Sequence, residues 1–349
     1  MDYVNKKEIR VFGLKRSGNH AVIHWIANNC RKACILNGPR LDTNIFTDLR
    51  DSHFYKNNCL FQLDLEKERK GQFAKKNVLI YNRENLDLRL LSNKKIEKNH
   101  DNFIGKSKVR YDALILRDPF NLFASTLKRF CEKPDNFFVK KYFDEIIDRW
   151  KQYALEYLGK TNYLKNKKVV INYNTWVRSK KERQKIGKKF KITIKNSNIN
   201  YILGFGGGSS FDKKRLNGCA KQMKVLQRWR NFSKNELYKS FFDDEVVVLS
   251  KKIFGLIPGT ECIYVPKKNS IIKEKYLKAK IKIECASLAA KYCIPVDFKD
   301  FSKKYAFFCS LFSERLPILY QQIIRMKNVI FKTKKNSSLK RKCLSCGNN

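Results

Sequence analysis

The apolar positions change period several times along the chain. "EIRVFGL" (residues 8–14) is an almost continuous β-branched run that ends in glycine, and the "NHAVIHWIANNC" that follows brings Ala21, Val22, Trp25 and Ile26 back at helical spacing. Together they predict a strand, a glycine turn and a helix. Further short apolar runs, "NVLIY" (77–81), "YDALILR" (111–117), "KVVINY" (168–173) and "EVVVLS" (245–250), read as strands apolar enough to be covered on both faces, as in a parallel sheet. Helical patterns lie between them over 119–131 and 139–160, the second ending at Gly159. This alternation predicts a doubly wound α/β sheet. After "FGLIPGT" (254–260) the pattern becomes mixed and Lys-rich with amphipathic stretches. The predicted layout is a domain over 1–258, a mostly helical region over 259–331 and a basic, disordered tail over 332–349.

Composition adds a partner class. The chain has 349 residues, 43% of them apolar, which suffices for a sizeable core. Lys and Arg total 75 against 32 Asp and Glu, a formal charge of +43, so the partners are expected to be anionic. Lys, Asn and Ile are all abundant, as an AT-rich coding sequence would produce, so compositional drift also accounts for part of the charge. The eleven cysteines are scattered and the opening "MDYVNKKEIR" is not a secretory signal, so a reduced, cytoplasmic location is the expectation. Cys343 and Cys346 form a lone pair in the tail, without the second pair of a structural zinc site. No apolar run approaches the roughly 20 residues of a membrane span.

Two stretches carry phosphate-binding chemistry. In "GLKRSGNH", Gly13 and Gly18 keep the spacing of a Walker A loop, but Asn19 and His20 stand where its Lys and Ser/Thr would follow. The missing lysine and hydroxyl argue against Mg-dependent triphosphate hydrolysis. An anion could still sit on amides at the helix N-terminus, with Lys15 and Arg16 supplying fixed charge. In "LILRDPFNLFASTLKRF" (114–130), Arg117 ends a predicted strand and Ser125 lies eight residues on, in the second turn of the predicted helix. That spacing lets a guanidinium and a hydroxyl grip one phosphate at the sheet's carboxyl edge.

Together these stretches resemble the sulfotransferase superfamily, which uses 3′-phosphoadenosine 5′-phosphosulfate (PAPS). The resemblance covers about residues 8–255 in scattered motifs, and implies a P-loop NTPase-like three-layer α/β fold with a central parallel sheet. It assigns Lys15, Arg16, Ser17, Gly18, Asn19 and His20 to the 5′-phosphosulfate, and Arg117 and Ser125 to the 3′-phosphate. "FGGGSSFDKKRLNGCAKQMKVLQRWRNF" (205–232) is similar to a segment of bacterial and viral sulfotransferase-like proteins. There Gly207, Gly208 and Ser209 would close over a phosphate, and Arg228 and Trp229 would offer a guanidinium and an aromatic plane. Its wording departs from the family's basic loop motif, so its position matches better than its residues do.

The family's general base, His or Glu by subgroup, follows an early strand. "NVLIYNRENLDLRLL" (77–91) makes Glu84 the first candidate and His20 the second, while His24 reads as packing or capping. Tyr173, at the end of "VVINY", would face the nucleotide. His53 and His100 lie in polar, loop-like segments and carry no readable signal.

The activity implied is metal-independent transfer of a sulfuryl group from PAPS to a hydroxyl or amine, with Arg16 stabilising charge. The acceptor stays open, and the basic surface favours an anionic glycan. Three alternatives remain: a P-loop kinase or other phosphotransferase, a basic nucleic-acid-binding protein, and a non-catalytic member of the same fold.

Overall fold

Six consecutive buried residues, Glu8–Gly13, form β1 at the centre of the sheet. Parallel to it on either side run β5 (Val78–Glu84) and β6 (Arg110–Leu116), which set Gly13 opposite both Glu84 and Ile115. β2 (Lys32–Asn37) pairs with β5, and β7 (Lys167–Asn172) with β6, again parallel. The order β2-β5-β1-β6-β7 is therefore a five-stranded parallel sheet. β3 (Asp51–Lys56) and β4 (Cys59–Phe61) extend it antiparallel beyond β2. This computed structural model describes residues 3–30, 32–37, 46, 51–56, 59–61, 64–93, 99–131, 139–195, 198–202 and 208–264.

Period-two alternation sends the strand side chains to two cores. Ile9, Val11, Ala113 and Ile115 pack with α1 (Asn19–Asn28), with Trp176 of α6 (Tyr173–Arg178) and with Ile186 of α7 (Lys180–Lys189). Phe12, Leu114 and Leu116 face the other way. They pack on α4 (Pro119–Cys131), α5 (Val139–Tyr157) and α9 (Asp244–Phe254). Helices thus cover both faces of the parallel sheet, the three-layer α/β class that the alternation predicts. Three short helices, α2 (Leu65–Arg69), α3 (His100–Ile104) and α8 (Glu236–Lys239), complete the α-helices among the described residues. None of the described helices is long and apolar enough to cross a membrane.

Two expectations fail. "EVVVLS" (245–250) is helix within α9, not strand. Local capping overrides the β-branched run: Asp243 accepts the Val246 N–H at 2.9 Å, Asp244 and Glu245 occupy the first turn, and Lys251 and Lys252 the last. The buried Val246, Leu249 and Ser250 then recur at helical spacing. His100 is not in a loop but at the start of α3, buried in a charge network. His53 lies in β3. The sequence reading also misses β2, whose apolar run Ala33–Leu36 is only four residues long, the lower limit for a strand signal. Residues 265–349, and with them most of the predicted helical region, the whole tail and Cys343 and Cys346, lie outside the described residues. The described chain packs into the second core as far as Ile263.

The amino half of that second face holds paired charges where apolar residues might stand. Arg10 and Asp112, opposite one another in the β1–β6 register, form a two-pronged pair at 2.6 and 3.0 Å with almost no exposure. The Glu8 carboxylate accepts from Tyr81 Oη at 2.6 Å, His100 Nε2 at 2.7 Å, Ser107 Oγ at 2.6 Å and Arg110 Nε at 2.8 Å. Burial alone would raise its pKa, but the hydrogen bond and charge of His100, with Arg110 and Ser107, hold it well below the usual carboxylate range. Glu8→Gln should therefore destabilise the protein by about 3–5 kcal/mol at neutral pH, because it leaves Arg110 without this partner. Because the folded pKa is depressed, the contribution of Glu8 is present above its unfolded value of about 4.3 and lost as pH falls below it. Urea denaturation of both proteins should show the gap at pH 7 shrinking below pH ~4.

Candidate functional site

Parallel strands place their carboxyl ends on one edge, and the sequence candidates gather there. Between β1 and α1 the backbone turns through two left-handed residues, Arg16 (φ 72°) and Gly18 (φ 85°). Gly18 is required twice over: its φ suits glycine, and an added Cβ would fall 2.1 Å from Cε2 of Tyr173. Ser17 is buried, its N–H donating to Leu14 O at 3.0 Å, while its hydroxyl has no hydrogen-bond partner. An unsatisfied buried hydroxyl beside a helix N-terminus suits a ligand oxygen.

A residue that the motifs did not single out clamps this loop. Asn85, itself left-handed at φ 58°, donates its N–H to Gly13 O at 3.2 Å and accepts the Lys15 N–H on Oδ1 at 2.8 Å. The Lys15 amide is thereby committed within the protein. The available signal was an Asn directly after a strand, one of the few side chains that tolerate the left-handed region.

Arg117, just past β6, is 2% exposed and gathers four segments. It donates through Nη1 to Arg16 O at 2.8 Å and to Ser125 Oγ at 3.2 Å, and through Nη2 to Val225 O. Its guanidinium carbon lies 5.4 Å from the Tyr173 ring centroid, and its Nε lacks a hydrogen-bond partner. Trp150 Nε1 fixes the Arg117 carbonyl at 3.0 Å. The expected Arg117–Ser125 pair is thus a direct contact.

Arg228 reaches the same hydroxyl from the far side, Nη1 to Ser125 Oγ at 3.2 Å, while its Nη2 donates to Ser209 Oγ at 2.7 Å and lies 3.5 Å from Asp212 Oδ2. Asn121 Oδ1 accepts the Arg228 N–H at 2.8 Å and holds the segment on α4. Burial, and then repulsion from Arg117, pull the Arg228 pKa down to about 10. Two buried guanidiniums therefore share one hydroxyl with one carboxylate, Asp212, within ion-pair distance of Arg228. An anion with several acceptor oxygens is the complement of that charge.

The described part of the glycine-serine segment, from Gly208 on, forms a closed turn. Ser209 and Lys213 exchange backbone hydrogen bonds at 3.0 Å each, and Gly208 sits at φ 73°, where a Cβ would meet Lys213 O at 2.5 Å. Gly207 lies outside the described residues. Trp229 is a buried core residue packed on Gly259, and the plane against Arg228 is Phe211, 5.0 Å from centroid to guanidinium carbon.

The base candidates lie at the first turn of α1, His20 within it and Glu84 beside it at the end of β5. Asn19 donates Nδ2 to Leu14 O at 3.1 Å and to Glu84 Oε1 at 3.0 Å, so its side chain orients Glu84 at the end of β5. The His20 ring contacts Asn37 Oδ1 at 3.1 Å and Asn82 Nδ2 at 3.5 Å. His24 pairs with Asn28 Nδ2 at 3.1 Å within the helix, and burial lowers its pKa.

Gly18→Ala tests the loop geometry. It should lower Tm by several degrees through left-handed strain of about 1–2 kcal/mol plus the clash, and weaken pyrophosphate binding. A cycle with Tyr173→Ala, read by thermal denaturation, should show coupling, because the double variant regains the space but not the backbone preference.

No protein-family model matches the chain, and no curated protein matches it. Among solved structures it is similar to the sulfotransferase domain of the olefin synthase from Synechococcus PCC 7002, with a TM-score of 0.41 and 11% identity, over 74% of this chain and 98% of that domain.

Proposed function

We propose that the protein is a sulfotransferase that moves a sulfuryl group from PAPS to an acceptor hydroxyl or amine. The observation that carries this reading is the meeting of Arg117, Ser125, Arg228 and Ser209 in one cluster joined to the β1–α1 loop through the Arg16 carbonyl. A nucleotide with phosphate groups at both ends of its ribose has two anions to place, and the edge offers two neighbouring anion-binding features. The loop, with its α1 amides, the Ser17 hydroxyl and the charge of Arg16, would take the 5′-phosphosulfate. The arginine pair would take the 3′-phosphate, the group that separates PAPS from ATP. Tyr173, between Gly18 and Arg117, would fix the spacing of the two.

In the reaction an acceptor oxygen attacks sulfur, a new S–O bond forms, and the S–O bond to the 5′-phosphate breaks with its electron pair on the phosphate oxygen. The leaving group is already an anion, so preorganised donors suffice to stabilise it. Glu84, held by Asn19, would take the acceptor's proton, with His20 as the competing base. The domain over 1–258 would carry this chemistry, with 259–331 a mostly helical extension and 332–349 a basic tail. The charge of +43 supports an anionic acceptor, of which a glycan is the proposed class.

Calorimetry with adenosine 3′,5′-bisphosphate is the direct test. The wild type should bind it, and should bind 5′-AMP about 100-fold more weakly, the equivalent of one or two charge-assisted hydrogen bonds. Arg228→Ala and Ser125→Ala should erase most of that preference. Tighter binding of Mg-ATP, or no binding by pure wild type, overturns the reading.

With labelled PAPS and a panel of phenols, amines and anionic glycans, Glu84→Gln should lower kcat by about 10²–10⁴-fold with bisphosphate affinity unchanged. The same loss in His20→Ala, with Glu84→Gln active, would move the base to His20.

A further inference from the structure

A second concave surface lies away from the phosphate loop. The helix α7 and the residues after it line an open groove of 750 Å³, with Lys181, Lys185, Lys188, Lys191, Ile192 and Ile194 in its lining. Its position follows from Lys7, which precedes β1 and donates Nζ to Phe190 O at 2.6 Å and Lys191 O at 3.0 Å. The end of α7 therefore sits at the amino end of β1. The phosphate loop is at the opposite end, roughly 20 Å away by strand length.

Three features make the groove more than a solvated lysine face. First, it is built around a glycine: an added Cβ on Gly187 would lie 2.3 Å from Cγ1 of Ile194, so only glycine lets the returning chain close against α7. Second, Lys191 is left-handed at φ 53°, at the turn where Lys191 N–H reaches Lys188 O at 2.9 Å and Ile192 N–H reaches Gly187 O at 2.9 Å. Glycine is the cheaper residue for that conformation, yet a cation stands there and projects beside the groove. Third, the charge is poorly compensated. Glu182 lies 3.7 Å from Lys185, and no ion pair joins Lys181, Lys188 or Lys191 to a carboxylate among the described residues. Lys7 is held below the usual ammonium range by burial, with Lys6 and Lys191 adding repulsion.

We infer that this groove is a binding site for a linear anionic polysaccharide. Lysines at i, i+4 and i+7 repeat over about 6 and 10 Å along the helix, which suits a chain bearing charge at successive units. Ammonium groups bind sulfate or carboxylate as point charges without demanding planar geometry. The groove's lining holds no aromatic ring on which a base could stack, the feature that single-stranded nucleic-acid sites use. The inference stands independently of the proposed activity.

The test is fluorescence anisotropy of the full chain with a labelled heparin hexasaccharide, alongside labelled oligo-dT and a short DNA duplex. The variant K181E/K188E should lose at least about 10-fold in hexasaccharide affinity, and its salt slope should fall by about two. K251E/K252E, the same charge change on the last turn of α9, should lose less than about 2-fold if the groove is the site. Lys191→Gly separates binding from folding: it should raise Tm by relieving the left-handed strain, yet weaken the hexasaccharide. Equal losses in the two double variants, unchanged affinity in Lys191→Gly, or tighter binding of either DNA than of the hexasaccharide overturns the proposal.

Discussion

The buried guanidinium of Arg117 is the contact on which the carboxyl edge of this protein depends. It bonds the β1–α1 loop at Arg16 O, α4 at Ser125, the 225 segment at Val225 O, and lies against the ring of Tyr173. A charge that deep costs several kcal/mol to desolvate, and carbonyl, hydroxyl and aromatic partners offset only part of it. The same cost then constrains its neighbours. Arg228 reaches Ser125 against that charge, and burial, with repulsion from Arg117 added, lowers its pKa to about 10. Such a pair is held in place by packing, through Trp150 on the Arg117 carbonyl and Asn121 on the Arg228 amide.

The β1–α1 loop lacks the Walker lysine and hydroxyl, and guanidiniums from other segments stand beside it. Arg117 and Arg228 add positive charge from across the chain to that of Lys15 and Arg16 within the loop, whose backbone sets the shape. Left-handed turns at Arg16 and Gly18 aim a carbonyl at Arg117 and leave the Ser17 hydroxyl unsatisfied. Asn85 then locks Gly13 and Lys15 from the neighbouring strand. Fixed dipoles and guanidiniums in a low-dielectric edge can stabilise a leaving phosphate without reorganising.

The two ends of the sheet handle charge differently. At the amino end Glu8, Arg10 and Asp112 are fully partnered inside the second core and serve to fix register and strand pairing. At the carboxyl end Arg117 and Arg228 meet at Ser125, with Asp212 in ion-pair distance of Arg228 among the described residues. The lysine groove at α7 lies on the amino side but outside the core, where ammonium groups stay solvated and cost little to leave unpaired.

Local signals in the sequence determined the strand, glycine turn and helix at 8–28, the parallel-sheet class, and the pairing of Arg117 with Ser125, because each rests on neighbours within one or two turns. Tertiary structure decided what long separations bring together. Arg228 meets Ser125 across 103 positions and His100 meets Glu8 across 92, distances over which no spacing rule operates. "EVVVLS" shows the limit from the other side. Its β-branched pattern was strand-like, and it became helix because Asp243 capped it and its buried face met the core at helical spacing. Periodicity reports which residues want burial; only the folded chain decides which surface buries them, and which charges are then left facing one another.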